Sequence, residues 1–397
     1  MKKIALISLI ASSVLMAGGW KIPETSTNAV ALGAANVAHN HNNADAAYYN
    51  PAKMTSMSDE NHIDANLMYI GLEAVKYSAA AGDIESEKEK FLVPSLHYVS
   101  PTLNKIRLGL SITSPGGLSK RWKTAPAVYS AEEFSLKILE LNPSIAVAVN
   151  DKFSVAVGVR ALYSEGIVKS THPGFARDMK GDSIDYGYNL ALAYQPTKDI
   201  EIGVTYRSKV DLTERGNAKL SSAITTTPYD IPVSVTVPLP ASLNIALAYT
   251  FSTKTTLELV YERTYWSAYK DLDFQYNAAL ADAILTARFD DPVTKNWKDS
   301  NTFRLGITQE YEKMAVMAGV VIDETPTPND TLGFEYPGSD AVAVSLGTRY
   351  KLNDKMDISC AALYAMSEKR TVNNSSINGT FSDANALLLS VGLGYKF

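Results

Sequence analysis

The sequence predicts an all-β fold, a fourteen-stranded antiparallel transmembrane β-barrel. Three observations point there: hydrophobic residues recur with period two over most of the length, the connections alternate between short and long, and Phe397 ends the last alternating segment. Successive strand side chains face opposite ways, so alternation makes one greasy face and one small or polar face. Tight turns at one end and longer loops at the other are the pattern of a transmembrane barrel, whereas a β-sandwich has no reason to sort its loops. A single barrel domain accommodates all 397 residues.

Residues 1–17 read as a signal peptide, with Lys2 and Lys3, an apolar stretch too short to span a membrane, and Ala17 before Gly18. No cysteine follows the cleavage point, so no lipoprotein anchor is expected. Residues 18–59 lack strand periodicity and carry Asn36, Asn40, Asn42, Asn43 and Asn50, so they read as a compact irregular element. Residues 60–397 hold fourteen alternating segments, near 61–72, 91–100, 105–114, 132–149, 152–167, 181–195, 199–213, 233–251, 255–268, 298–311, 314–323, 340–351, 355–367 and 385–397. In the last, Leu387, Leu389, Val391, Leu393, Tyr395 and Phe397 share a face, opposite Ala386, Ser390, Gly392 and Gly394. Connections at 101–104, 150–151, 196–198, 252–254, 312–313 and 352–354 are tight. Those at 73–90, 115–131, 168–180, 214–232, 269–297, 324–339 and 368–384 are long. An even strand number puts both termini on the short-turn side. Closure is required, because an open edge in lipid strands backbone polar groups.

Composition agrees. The chain is 46% hydrophobic and 20% charged, with a mean hydropathy of −0.07, and after the leader it has no apolar run of about 20 residues, the length a membrane helix needs. Tyr, at 22 residues, suits a boundary between lipid and water. Trp122, Trp266 and Trp297 lie near strand ends and read as interface anchors. The net charge is −5, or −7 once Lys2 and Lys3 leave with the leader, which argues against nucleic acid. The lone Cys360 excludes an intrachain disulfide and reads as a small buried or lipid-facing residue. His39 and His41 have the spacing of two metal ligands, with Asp45 near. Lacking a cysteine or a third histidine nearby, they read as polar filling, and no metal or cofactor is expected. The other histidines are scattered, and no Ser/His/Asp arrangement suggests an enzyme.

The chain resembles the FadL family of outer-membrane transporters of long-chain fatty acids, whose TodX-like members take aromatic hydrocarbons. Asn50-Pro51-Ala52 matches the family's Asn-Pro-Ala motif. Ser111 to Ser114 followed by Pro115-Gly116-Gly117 looks like its third strand and the interruption of that strand. Leu239-Pro240, Trp266-Ser267, Trp297-Lys298-Asp299, Arg304-Leu305-Gly306 and the run from Asp323 to Pro328 follow in family order. The resemblance implies that residues 18–59 form a hatch within the barrel. It also implies that the third strand is kinked, opening a sideways exit into lipid. Pro115 cannot donate to a ladder and glycines favour bends, which suits a kink; the same residues would equally serve as the turn ending the strand.

The resemblance implies that, as in the fatty-acid members, basic side chains inside the barrel can sit near the ligand's carboxylate. Lys298 falls at one such position, and Glu165 falls at a second, in the fifth strand. An acid there would repel a carboxylate and favour neutral hydrocarbons, unless Glu165 pairs with Lys169 or Arg160. Phe175, Met179, Leu220, Ile224, Tyr229 and Ile231 place apolar side chains in two long connections. They mark either an outer capture site or packing of the loops on one another. The function expected is uptake of hydrophobic small molecules with lateral release into outer-membrane lipid. Alternatives are a general porin for polar solutes or a non-transporting adhesin. The expected partners are a fatty acid or hydrocarbon ligand, lipid, and the barrel-assembly machinery that reads the terminal Phe397; the barrel is expected to be monomeric.

Overall fold

The computed structural model describes residues 18–225 and 227–397; the leader expected at 1–17 lies outside the described residues. Fourteen strands close into one antiparallel barrel. They are β1 (His62–Leu72), β2 (Glu89–Val99), β3 (Ile106–Thr113 and Gly117–Arg121), β4 (Glu133–Asn150), β5 (Phe153–His172), β6 (Phe175–Tyr194) and β7 (Ile200–Arg207 and Val210–Ser222). They continue with β8 (Tyr229–Leu239 and Ser242–Thr250), β9 (Thr255–Thr264), β10 (Ser300–Glu310), β11 (Met314–Asp323), β12 (Ala341–Lys351), β13 (Met356–Ser367) and β14 (Ala386–Lys396). Pairing of β1 with β14, from His62↔Lys396 to Leu72↔Ala386, closes the ring.

The predicted alternation is the lipid boundary. Leu387, Leu389, Val391, Leu393, Tyr395 and Phe397 are all exposed on the outside, while Ala386, Leu388 and Ser390 are buried within. Exposed Tyr186, Tyr188, Tyr194, Tyr249, Tyr311 and Tyr350 supply the amphipathic rings on this outer surface. The tryptophans do not. Trp122, Trp266 and Trp297 are buried, and Trp266 and Trp297 pack on Trp20 with ring centroids 4.5 and 4.8 Å away. Interface anchoring is therefore wrong for them: the aromatic cluster of the plug and the loops gives them an apolar interior to fill.

Two predicted loops are strand. β5 and β6 run 20 residues each and meet at a turn of Pro173 and Gly174, so most of 168–180 is a hairpin standing above the barrel. Most of 214–232 likewise extends β7 and β8. Once outside lipid a strand needs no greasy face, so the apolar alternation fades while the ladder continues. A four-stranded sheet of outer loops (Lys76–Ala79, Gly82–Glu85, Arg370–Asn373, Asn378–Ser382) sits at the same end.

Residues 18–59 fill the lumen and are nearly all buried. They hold a short helix α1 (Thr27–Leu32), capped by Ser26 and ended by Gly33 at φ 58°, a helical turn α2 (Ala46–Tyr49), and a 3-10 turn Pro51–Ser56. Irregular backbone at this depth needs partners from the surrounding protein. Wall side chains provide them: Glu258 of β9 accepts from the amides of Val37, Ala38 and His39 at 2.6 to 3.0 Å. Asn66 of β1 accepts from Thr27 N at 3.0 Å, and Ser345 of β12 donates to Ala31 O at 2.8 Å.

Candidate functional site

The third strand breaks between Thr113 and Gly117, as Pro115 and Gly116 suggested. Below the break β3 pairs with β2 over only four residues, Leu96↔Ile112 to Val99↔Gly109. Above it, Gly117–Arg121 makes its ladder with β4, and it is joined to the β2 side near the top, where Glu87 N donates to Arg121 O at 2.8 Å and Glu89 of β2 accepts from Arg121 at 2.6 Å and from Ser119. The freed backbone turns inward to the hatch. Ile22 N donates to Pro115 O at 2.9 Å, and Gly117 N donates to Trp20 O at 2.8 Å. The segment is therefore a kink within the wall and not the turn that ends the strand. Ser111 and Ser114 flank it, both buried, and Ser111 Oγ meets His97 Nδ1 at 3.1 Å. Gly116 has a specific reason to be glycine: a Cβ there would sit 2.7 Å from Trp20 O. A larger residue would displace the hatch.

Asn50 holds the hatch in shape. Its side-chain oxygen accepts from Ala52 N at 3.1 Å, capping the 3-10 turn that Pro51 begins. Its Nδ2 donates to Val37 O at 2.8 Å and to Leu192 O of β6 at 3.2 Å. The wall contact is thus to the sixth strand and not to the break at 111–117. Gly203 of β7 gives room for it, since a Cβ there would lie 3.0 Å from Asn50 Nδ2.

Between hatch and wall, beside Pro115, lies a cavity of about 60 Å³. Its walls are Ile22, Ala34, Val37, Tyr48, Tyr49 and Leu239 together with four cations, Lys21, Arg160, Arg207 and Arg304. Arg160 of β5 donates two hydrogen bonds to Glu140 Oε2, at 3.0 and 2.8 Å, and one to Ser208 O, at 2.7 Å, where β7 is interrupted. Arg207 also pairs with Glu140 and lies over the Tyr48 ring at 4.3 Å. Arg304 pairs with Glu262 at 2.7 Å, and Lys21 binds the same carboxylate. Glu140 and Glu262 bind these four cations directly, and Asp323 and the buried Glu24 lie close enough to Arg304 to act on its charge. Such a cavity suits an anionic head beside apolar groups. It is smaller than the roughly 150 Å³ that admits a benzene ring, so any ligand must move hatch side chains.

The basic residues expected here are different ones. Lys298 is exposed, its amide bonded to Pro326 O at 2.8 Å, and it does not line the cavity. Glu165 is not in the lumen. In β5 the odd positions, Val155 to Val159, face outward, and Glu165 shares their parity. It pairs with Lys137 at 3.8 Å and Lys180 at 3.1 Å on neighbouring strands, rather than with Lys169 or Arg160. The acid that seemed to oppose a carboxylate ligand lies outside, and Arg160, on the inward parity, takes the interior position. That parity was readable from the sequence; Arg207 beside a strand break was not.

The six apolar residues expected at an outer site do gather on the β5–β8 extensions. Met179 and Leu220 are buried in the outer core, with Tyr229 and Ile231 half-buried against it. Phe175 stacks on His172 at 4.4 Å, and Ile224 is 64% exposed at the tip. Phe175 is half-buried against the same core and meets Phe289, so five of the six pack the extensions together and Ile224 remains accessible.

Comparison with known proteins comes to the same architecture. The profile of the family described as outer membrane protein transport protein (OMPP1/FadL/TodX) matches residues 8–397. The chain is 22% identical, over 88% of each protein, to a long-chain fatty acid transport protein of Salmonella typhi. Its fold is similar to the crystal structure of a Pseudomonas aeruginosa FadL homologue, with TM-score 0.82 and 18% identity over 96% of this chain and 100% of that one. It is also similar to the Ralstonia pickettii toluene transporter TbuX, with TM-score 0.74 and 18% identity over 96% and 99%.

Proposed function

Because this chain belongs to the outer membrane protein transport family (OMPP1/FadL/TodX), we propose that it takes up hydrophobic molecules bearing a carboxylate, the long-chain fatty acid class, across the bacterial outer membrane. It acts as a channel and not as an enzyme, works as a monomer, and is assembled by machinery that reads Phe397. The observation that carries the reading is the cavity where Lys21, Arg160, Arg207 and Arg304 meet apolar and aromatic walls beside the break in β3. A head group held there has its tail toward Pro115 and the weakest part of the wall. Sideways release keeps the tail out of water, which favours it by about 25 cal/mol per Å². A porin for polar solutes would need an open aqueous lumen, and the hatch occupies this one.

The test compares two probes in cells carrying the Glu140→Gln/Arg207→Gln double variant, which removes one acid and one base together. Oleate uptake is expected to fall about tenfold, from the loss of one charge-assisted contact, while toluene uptake holds. An equal fall for toluene would favour the second reading, a neutral-hydrocarbon channel like the toluene transporter it resembles in fold. No change for either probe would remove the cavity from the pathway.

A further inference from the structure

We propose that the short-turn end of the lumen carries a binding site for a divalent transition metal of the zinc class, built from His39 and His41 of the hatch and Glu310 of β10. One ligand atom of each lies within 4.8 Å of the others. Two imidazoles and a carboxylate form a donor set that zinc takes readily, leaving a fourth position for water. Calcium and magnesium prefer all-oxygen sites.

The two rings are already oriented. His41 is nearly enclosed, with its side chain 8% exposed; Nδ1 lies 3.5 Å from Glu310 Oε1 and makes no hydrogen bond. Its Nε2 is held by Thr308 Oγ1 at 3.2 Å. His39 Nδ1 meets Glu201 Oε1 at 3.0 Å, and Glu201 is in turn held by Lys53 at 2.5 Å. Outer-shell oxygens of this kind fix the ring angle and tautomer of ligating histidines. The backbone contributes as well: His41 and Asn42 sit at φ 50° and 57°, a region non-glycine residues rarely occupy. This turn sets the rings edge to face at 4.2 Å. Metal has a way in, because the cluster borders a vestibule of about 460 Å³ at the mouth of the barrel. Of the cations lining the vestibule, Lys53 is paired with Glu201 and Arg349 with Asp64 and Asp357, and Lys351 also acts on Glu310.

A bound ion would join the hatch to the wall at the end opposite the β3 kink. It would clamp the base of the plug without touching the cation-lined cavity, so the proposal stands apart from the ligand reading. The experiment uses tag-free, full-length protein in detergent, stripped of metal and titrated with Co²⁺. The expected result is a tetrahedral Co²⁺ absorption at one ion per barrel, displaced by equimolar Zn²⁺ and not by Ca²⁺. His41→Ala should weaken binding about 100-fold and Glu310→Gln about tenfold. His172→Ala, in the outer hairpin, should change nothing. Glu310 is half-exposed at the rim, so its variant folds irrespective of the metal; unchanged heat-modifiable gel mobility checks this for all three. Absence of the Co²⁺ spectrum in the wild type, or binding by the His41→Ala and Glu310→Gln proteins as tight as wild type, overturns the proposal.

Discussion

Two seams in the same wall are built differently. Between β1 and β14 the ladder runs unbroken over eleven pairs, joining chain ends more than 300 residues apart. Between β2 and β3 it lasts four pairs, after which the β3 backbone pairs with Trp20 and Ile22 of the hatch. The first seam closes the barrel, and lipid outside it offers no alternative partner for a backbone amide. The second can stop early because the plug supplies that partner from within. A barrel with a hatch therefore has a place where its wall can be interrupted without stranding polar groups, and Pro115 and Gly116 mark it.

Proline should separate the two seams most sharply. Pro115 is native at the short seam, but Leu389→Pro in β14 removes a ladder donor in lipid. That costs several kcal/mol and is expected to abolish the heat-modifiable band on cold gels; a barrel that still forms would show the closing seam to be less critical than its length implies.

Next in size is a lock across the short seam. Ser95 and Ser114 line one small cavity, so Ser95→Cys/Ser114→Cys in a Cys360→Ser background puts two thiols across the seam for an oxidant or a cleavable thiol crosslinker to join. Oxidation is expected to cut uptake more than tenfold, reversibly with reductant. A matching pair at Leu67 and Val391, register partners in the closed seam, should have no effect. Uptake that survives the lock would leave a route past the hatch as the better description.

Asn50→Ala tests the hatch that makes the short seam tolerable. It removes the bonds to Val37 O and Leu192 O and the cap on Ala52 N. The expected cost is about 1–3 kcal/mol, seen as a lower midpoint of thermal unfolding with the barrel intact, and as slower uptake. An unchanged midpoint would mean that water replaces the amide. Ile224→Asp, at an exposed tip far from both seams, should have the smallest effect. Initial capture of ligand is predicted to weaken by about threefold, the lost burial of part of one apolar side chain, with transport at saturation unaltered. A loss at saturation would place the tip in the pathway itself.

The sequence by itself determined the barrel and its strand number, set residues 18–59 apart as irregular, and singled out Pro115 to Gly117 as either a kink in the third strand or its end. Lipid outside and a narrow lumen inside force strict alternation along every strand, and Pro115 or Asn50-Pro51-Ala52 act through their own backbone. It misjudged what depends on neighbours distant in the chain. Trp266 looked like an anchor because nothing local announces that Trp20 will reach it from the hatch. The extensions of β5 to β8 looked like loops because a ladder in water needs no greasy face. Only the tertiary structure decided the interior chemistry. It set Arg160, Arg207 and Arg304 from three strands around Lys21, and it brought Glu310 to His39 and His41, which are some 270 residues away in the chain. Inward-facing side chains answer to whatever the plug and the opposite wall present, and that is set by how the ring closes around residues 18–59, not by any repeat along the strand.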